Sequence, residues 1–276
     1  MNVTDRFSAE PSRFTAEDRP FAVLVLGAMG VPAGYYDKLL GSLRAEGMLV
    51  AVLPCESHST DASRSPRITG YAEFIEERIP EAYDELQREA PYATIACIGH
   101  SLGGQLGLVS ASRYFPDTPF VLVASGTAYY RSFRRPRRWI YLAGSQTISL
   151  VARLWGRWPG DVLRFGGVQS APLMHDWAAN VRTGFYRSSH ATFDYEESLR
   201  AFRGRTLTIH ITADRLAPVD ATRRLLGKTP QINASSITYR ADRGTSRPGS
   251  HFTWARDVPG LGKDIATWIR QTPHDR

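Results

Sequence analysis

Short apolar runs alternate with amphipathic segments along most of this chain of 276 residues, and this alternation limits the fold more than any other feature. Residues 21–26 are continuously hydrophobic, as a strand covered on both faces must be. Similar strand-like runs occupy residues 48–54, 92–98, 120–124, 207–212 and 237–239. Segments with helical spacing separate them, at residues 35–46, 71–89, 101–114, 222–226 and 261–270. The pattern predicts an α/β fold with a mostly parallel central sheet flanked by helices.

The alternation stops at Ser125 and resumes only at residue 207. The interval is rich in aromatic residues and arginine, and it has helical periodicity near residues 139–155 and 175–186. We therefore predict that residues 1–126 and 205–276 form the core, whereas residues 127–204 form a helical cap inserted after the fourth recognisable strand. Residues 1–20 are polar and predict no element.

Composition excludes several classes of protein. A hydrophobic content of 42% with 22% charged residues fits neither a disordered chain nor a membrane bundle. The two cysteines lie in strand-like runs and indicate no disulfide framework. The first residues lack a signal-peptide pattern, so we expect a cytoplasmic protein without a membrane span and of undefined oligomeric state.

The net charge of +7 raises the question of an anionic partner. Five arginines fall within residues 131–138. Contact with nucleic acid, an anionic membrane surface, or a phosphorylated or carrier-bound ligand is one interpretation, and a solvated surface is the favoured one. No nucleic-acid-binding motif accompanies them, so we expect no nucleic acid partner.

The sequence Gly99-His100-Ser101-Leu102-Gly103-Gly104 follows the third predicted strand and begins a predicted helix. This is the G-x-S-x-G pattern in a strand–turn–helix context, in which a sharp turn exposes the serine hydroxyl. The residues two before and two after the serine must be small, because the backbone passes close to itself there. The helix N-terminus behind the serine favours a developing negative charge.

On these residues the chain, from residue 21 to residue 270, resembles the α/β-hydrolase superfamily. The resemblance implies a nucleophile, an acid and a base in that order along the chain: Ser101, Asp214 after the strand at 207–212, and His251 before the last helix. Asp220 is the alternative acid, although it fits better as the N-cap of the next helix. The resemblance also implies an oxyanion hole formed by the backbone N–H groups of Met29 and Leu102.

The predicted chemistry requires no metal and no cofactor, because the sequence lacks metal-ligand spacing, a P-loop lysine and a dinucleotide fingerprint. We predict a serine hydrolase of carboxylic esters or thioesters that takes a small acyl substrate with a hydrophobic part. A biosynthetic acyltransferase, an elimination enzyme or lyase, and a non-catalytic binding protein remain alternatives on this fold. Three aromatic residues of the predicted cap are candidate substrate contacts: Trp139, Trp155 and Trp177.

Overall fold

The computed structural model describes residues 20–55, 70–163, 165–240, 251–256 and 260–271. Its strands in chain order are β1 (Phe21–Met29), β2 (Leu49–Cys55), β3 (Thr94–His100), β4 (Phe120–Val123), β5 (Arg157–Gly160), β6 (Gly167–Ser170), β7 (Thr206–Ile211) and β8 (Ala234–Tyr239). Six of them form one sheet in the order β2-β1-β3-β4-β7-β8, and every pairing in it is parallel. The predicted α/β class with a parallel central sheet is therefore confirmed.

Helices cover both faces of this sheet. In chain order they are α1 (Asp37–Ala45), α2 (Ile79–Glu89), α3 (Leu102–Tyr114), α4 (Arg137–Trp155), α5 (Ala171–Thr183), α6 (Tyr195–Leu199), α7 (Val219–Leu226) and α8 (Leu261–Arg270). Val23 and Val25 of β1 pack in one core cluster with α1 and α8. Leu24 and Leu26 pack in the other with α2 and α3. The two faces of β1 are thus both buried, as its continuous apolar sequence requires.

Most elements begin or end within a few residues of their predicted bounds, and the clearest differences concern two of them. The helix predicted at residues 71–89 contains a π-helical turn, Glu73–Arg78, before α2. Pro80 lies directly after this turn and has no N–H to donate to the preceding turn, which disfavours regular α-helical bonding there. Strand β8 begins at Ala234, before the predicted start at residue 237. It pairs in parallel with β7 and forms an edge of the sheet.

The segment between β4 and β7 contains α4, the antiparallel hairpin β5–β6, α5 and α6. The two predicted helical regions correspond to α4 and α5, whereas the hairpin was not predicted, since the sequence of β5 contains Pro159 and does not alternate. Buried residues of α5, such as Leu173 and Trp177, belong to the same core cluster as Leu106 of α3. The division of the chain into a core and a separate cap stays a prediction.

Candidate active site

Ser101 occupies a sharp turn between β3 and α3. Its φ of 52° and ψ of −119° lie in a strained region for a residue with a side chain, which is the expected conformation of an exposed nucleophile. The surrounding chain holds this conformation: the Ser101 N–H donates to the carbonyl of Val123 at 3.1 Å. The hydroxyl of Ser125 donates to the Ser101 carbonyl at 2.7 Å.

Glycines on either side of Ser101 make the turn sterically possible. A Cβ atom on Gly99 would overlap the backbone of Gly104, and one on Gly103 would overlap the carbonyl oxygen of Gly27 at the end of β1. The first turn of α3 therefore lies directly against the end of β1. This close approach brings the N-terminus of α3 next to the turn that carries Met29.

The structure brings Ser101, His251 and Asp214 together in one hydrogen-bonded chain. The hydroxyl Oγ of Ser101 lies 2.8 Å from Nε2 of His251. The other ring nitrogen, Nδ1, lies 2.8 Å from Oδ2 of Asp214. The side chains of His251 and Asp214 are only 6% and 2% exposed, so water does not compete for this bond. In this arrangement the ring can accept the serine proton while the carboxylate orients it and stabilises its charged form.

The loop after β7 aims Asp214 at the histidine. The backbone N–H groups of Leu216 and Ala217 donate to Oδ1 of Asp214 at 2.8 and 3.1 Å. Oδ2 is thereby left for His251.

Asp220, the alternative acid, faces away from this chain. It pairs with Arg223, and its side chain is 59% exposed. The expectation that Asp220 caps α7 was wrong: the N-cap is Pro218, which has no side-chain capping bond, and Asp220 lies in the first turn. Its ion pair one turn along the helix accounts for its orientation toward solvent.

The two predicted oxyanion donors border a cavity at the candidate active site. Met29 and Leu102 both line it together with Ser101 and His251. Leu102 is the first residue of α3, so no carbonyl within the helix accepts its N–H. Gly30, with a φ of 69°, packs so closely on Gly166 that a Cβ would overlap its backbone. The start of β6 thus packs against the turn that carries Met29.

Solved structures share this architecture. The chain superposes on one of two metagenome-derived lipolytic enzymes with a TM-score of 0.60 and 12% identity, over 92% of this chain and 94% of the other. For the enol-lactonase from Burkholderia xenovorans LB400 the TM-score is 0.54, with 14% identity and coverage of 91% and 92%. For an esterase from Exiguobacterium antarcticum it is 0.55, with 10% identity and coverage of 92% and 93%. The chain has the α/β-hydrolase fold. No protein-family model and no curated protein matches its sequence.

In this α/β-hydrolase fold, aromatic side chains form much of the wall opposite Ser101. Tyr141 of α4, Phe165 before β6 and Trp177 of α5 line the cavity. Their rings are in contact, with centroid distances from Trp177 of 6.0 Å to Tyr141 and 5.7 Å to Phe165. The space they enclose is about 60 Å³. Of the three tryptophans predicted to contact substrate, Trp177 is therefore at the cavity.

Trp139 and Trp155 lie elsewhere. They are 49% and 68% exposed and do not line the cavity. Both belong to α4, whose inward side carries Tyr141. Helical periodicity identified the helix but gave no means of telling its inward side from its outward side.

The predicted arginine cluster lies at the start of α4. Arg134, Arg135 and Arg137 line an open cleft of about 820 Å³ together with Arg215 and His210. No ion pair involves these arginines within the part of the chain that the structure describes. The cleft also borders Asp214. The cluster thus lies close to the candidate active site without entering its cavity.

The sequence analysis missed a buried polar cluster behind the active site. The backbone N–H of Ala28 donates to the hydroxyl of Tyr36 at 2.8 Å, and that hydroxyl lies 2.9 Å from Nδ1 of His100. Nε2 of His100 lies 3.0 Å from the carbonyl oxygen of His251 and 3.1 Å from the indole nitrogen of Trp254. The cluster connects the strand that leads to Met29 with the loop that carries His251. The one available signal was a histidine inside the G-x-S-x-G pattern.

His100 is neutral in the fold. Burial lowers the pKa of His100 well below its ordinary value, and the neighbouring His251 lowers it further. The carbonyl of His251 only accepts and the indole of Trp254 only donates, so the two favour opposite tautomers of the neutral ring. In both tautomers the ring connects Tyr36 to the loop that carries His251.

The described part of the chain contains no group of three or more side chains able to hold a metal ion. Within the same residues, no helix has the combination of length and hydrophobicity that crossing a bilayer requires.

Proposed function

We propose that this protein is a serine hydrolase that cleaves carboxylic esters or thioesters through an acyl-enzyme intermediate. The observation that carries the proposal is the hydrogen-bonded chain from Ser101 through His251 to Asp214, with both of its bonds at 2.8 Å. The strained backbone of Ser101 supports it, because strain of this kind persists where the fold over-determines a functional residue. The esterase, lipolytic enzyme and lactonase among the structural neighbours are consistent with it.

The reaction follows from the roles of these side chains. His251 takes the proton of Ser101 while Oγ forms a bond to the substrate carbonyl carbon, and the backbone N–H groups of Met29 and Leu102 bind the resulting oxyanion. His251 then gives the proton to the departing alcohol or thiol as its bond to carbon breaks, leaving Ser101 acylated. A water molecule, deprotonated by His251, attacks the acyl carbon. Its proton returns to Oγ, and the carboxylic acid leaves.

The cavity suggests the size of the acyl group. A small cavity of about 60 Å³ next to Ser101, walled in part by Tyr141, Phe165 and Trp177, favours a short apolar acyl chain. The alcohol or thiol part would extend toward the open side of the site. We therefore expect short-chain esters or thioesters to be better substrates than long-chain ones.

Covalent labelling tests the proposal most directly. A fluorophosphonate probe should label the protein at Ser101, as shown by mass spectrometry of the modified peptide. Ser101→Ala should abolish labelling and reduce turnover of p-nitrophenyl acetate on the order of 10⁴-fold or more. Ser110→Ala is the matched control, because Ser110 is a buried serine of α3, the helix that follows Ser101, and its loss should leave both signals unchanged.

The same experiments separate the alternatives. A labelled protein that transfers acyl groups to an added alcohol or amine faster than to water is an acyltransferase. Absence of labelling on a folded protein would contradict the proposal and favour a binding role.

A further inference from the structure

The outward side of α4 is apolar and exposed. Residues spaced three and four apart share one side of a helix, and on α4 the exposed side consists of uncharged residues: Ile140, Ala143, Thr147, Leu150 and Leu154. Ile140 is 69% exposed and Leu154 is 72% exposed. Seven of the thirteen large exposed hydrophobic residues that the structure describes fall within residues 139–163. An exposed cluster of this kind marks an interaction surface.

The charge around this apolar side has a single sign. Residues 127–160 contain seven arginines and no acidic residue. Arg134, Arg135 and Arg137 lie at the start of α4, whereas Arg153 and Arg157 lie at its end. The arginines therefore flank the apolar side at both ends of the helix. A partner that covers this face must offer apolar surface and negative charge together.

The inward side of the same helix borders the active-site cavity. Tyr141, which neighbours the exposed Ile140 in sequence, lines the cavity that contains Ser101. Helix α4 thus separates this cavity from the exposed apolar surface. A partner bound to the outward side would hold the enzyme with its cavity close to that partner.

We propose that the outward side of α4 and its flanking arginines dock the protein on an anionic lipid surface. A helix lying in the interface of a bilayer combines an apolar stripe with basic residues that contact the lipid phosphates. Trp139 and Trp155, near the two ends of α4, are residues of the type that favours the level of the lipid headgroups. A second copy of this chain fits less well, because pairing two such faces would bring like-charged arginines together.

Vesicle sedimentation tests the proposal. The full-length Ser101→Ala protein should bind vesicles made of equal parts phosphatidylcholine and phosphatidylglycerol, and it should bind phosphatidylcholine vesicles much more weakly. Binding should weaken as salt is added, since salt screens the attraction between arginine and phosphate. The measurement does not depend on catalysis, so its failure leaves the proposed hydrolase activity untouched.

A charge on the apolar side should disrupt docking. Ile140→Glu should weaken binding to the mixed vesicles by about tenfold or more, because one large side chain no longer enters the lipid and a carboxylate opposes the phosphates. Ile237→Glu is the matched control: Ile237 is also exposed, but it lies on the edge strand β8. This control should bind as the unchanged protein does.

The arginines require a control of equal charge. Arg134→Gln combined with Arg135→Gln should weaken binding roughly tenfold, given the contribution of each basic residue near an anionic surface. Arg44→Gln combined with Arg88→Gln changes the net charge equally at exposed positions of α1 and α2 and should have little effect. Equal loss in both double variants would mean that net charge alone drives binding, and would overturn the proposal.

Two further results would also overturn it. One is the absence of binding to mixed vesicles at low salt. The other is a dimer in light scattering that Ile140→Glu dissociates without lipid present, because a second copy would then cover the outward side of α4. An acidic protein partner that binds this face while vesicles do not would have the same meaning.

Discussion

The candidate active site and the outward side of α4 depart from the usual distribution of residues in opposite ways. At the active site, polar and titratable side chains are buried, and each has its hydrogen-bond partner: Asp214 is 2% exposed and bonded to His251. On α4, large apolar side chains such as Leu154 face water, and the arginines around them have no ion-pair partner among the described residues.

The difference indicates what stabilises each region. Buried polar groups carry a free-energy cost unless they are fully paired, so they persist where they do chemistry. Exposed apolar groups have a free-energy gain available that only a partner can realise. The polar groups of the candidate active site therefore find their partners among the described residues, whereas the proposed partner of the α4 surface lies outside the chain.

The largest expected effect concerns two neighbouring aspartates, of which Asp214 is buried at the candidate active site and Asp220 is exposed on α7. Asp214→Asn should lower kcat on the order of 10³–10⁴-fold, because the amide no longer stabilises the charged imidazole and favours the wrong tautomer. Asp220→Asn should change kcat little, since the exposed Asp220 pairs with the exposed Arg223. Steady-state kinetics with p-nitrophenyl acetate measures both. A larger loss in Asp220→Asn would show that the acid lies elsewhere and that the comparison fails.

A smaller effect is expected from two tryptophans between β4 and β7, one at the cavity and one exposed. Trp177→Ala enlarges the cavity and should shift the preference for longer over shorter acyl chains by about tenfold in kcat/KM. Trp155→Ala should leave the preference unchanged, because Trp155 lies on the outside of α4. A series of p-nitrophenyl esters of increasing acyl length provides the measurement.

The preference is a ratio of two rates on one sample, so any loss of folded Trp177→Ala protein cancels. Equal shifts in the two variants would mean that the exposed side of α4 also determines acyl preference, and that the cavity and the outward side of α4 are not distinct in function.

The smallest effect concerns the pH dependence of stability. Burial lowers the pKa of His100 in the fold. Below the ordinary histidine pKa, the unfolded chain therefore binds a proton that the native chain does not. The stability contributed by neutral His100 is present above the ordinary histidine pKa of about 6.5 and is lost as pH falls below it. In His100→Gln the free energy of unfolding, measured with urea, should therefore fall less steeply between neutral and mildly acidic pH.

His210→Gln is the comparison for this measurement. Burial also lowers the pKa of His210, but this side chain is only half-buried. Its variant should change the slope in the same direction and by a smaller amount. An unchanged slope in His100→Gln would show that His100 is not the group that links stability to pH.

The sheet followed from local sequence, whereas the candidate triad followed from the residue order that the resemblance to the α/β-hydrolase superfamily implies. The topology of a parallel sheet explains why such residues can meet. In parallel strands the carboxyl ends meet at one edge, so residues just after β3 and β7 come together whatever lies between them in the chain. The run at residues 21–26 and the glycines around Ser101 were sufficient evidence for this. Residues 241–250, which precede His251, lie outside the described residues, as do residues 1–19.

The remaining features depend on contacts that no local pattern encodes. Tyr36 and His100 are 64 positions apart, and their hydrogen bond exists only because the turn before α1 lies against the end of β3. The outward direction of Trp139 and Trp155 depends on how α4 is rotated against α5. Both are tertiary properties, which the periodicity of a single helix or strand does not encode.

The pairing of β4 with β7 has a consequence for the order in which this protein assembles. Phe120 is paired with Thr206, so the sheet closes across the whole segment that contains α4 and α5. Closing a loop of this length has an entropic cost, which makes such contacts slow to form. Asp214 and His251 lie beyond β7 and reach Ser101 only after this pairing. Enzymatic activity should therefore return late in refolding, after helix content measured by circular dichroism has recovered.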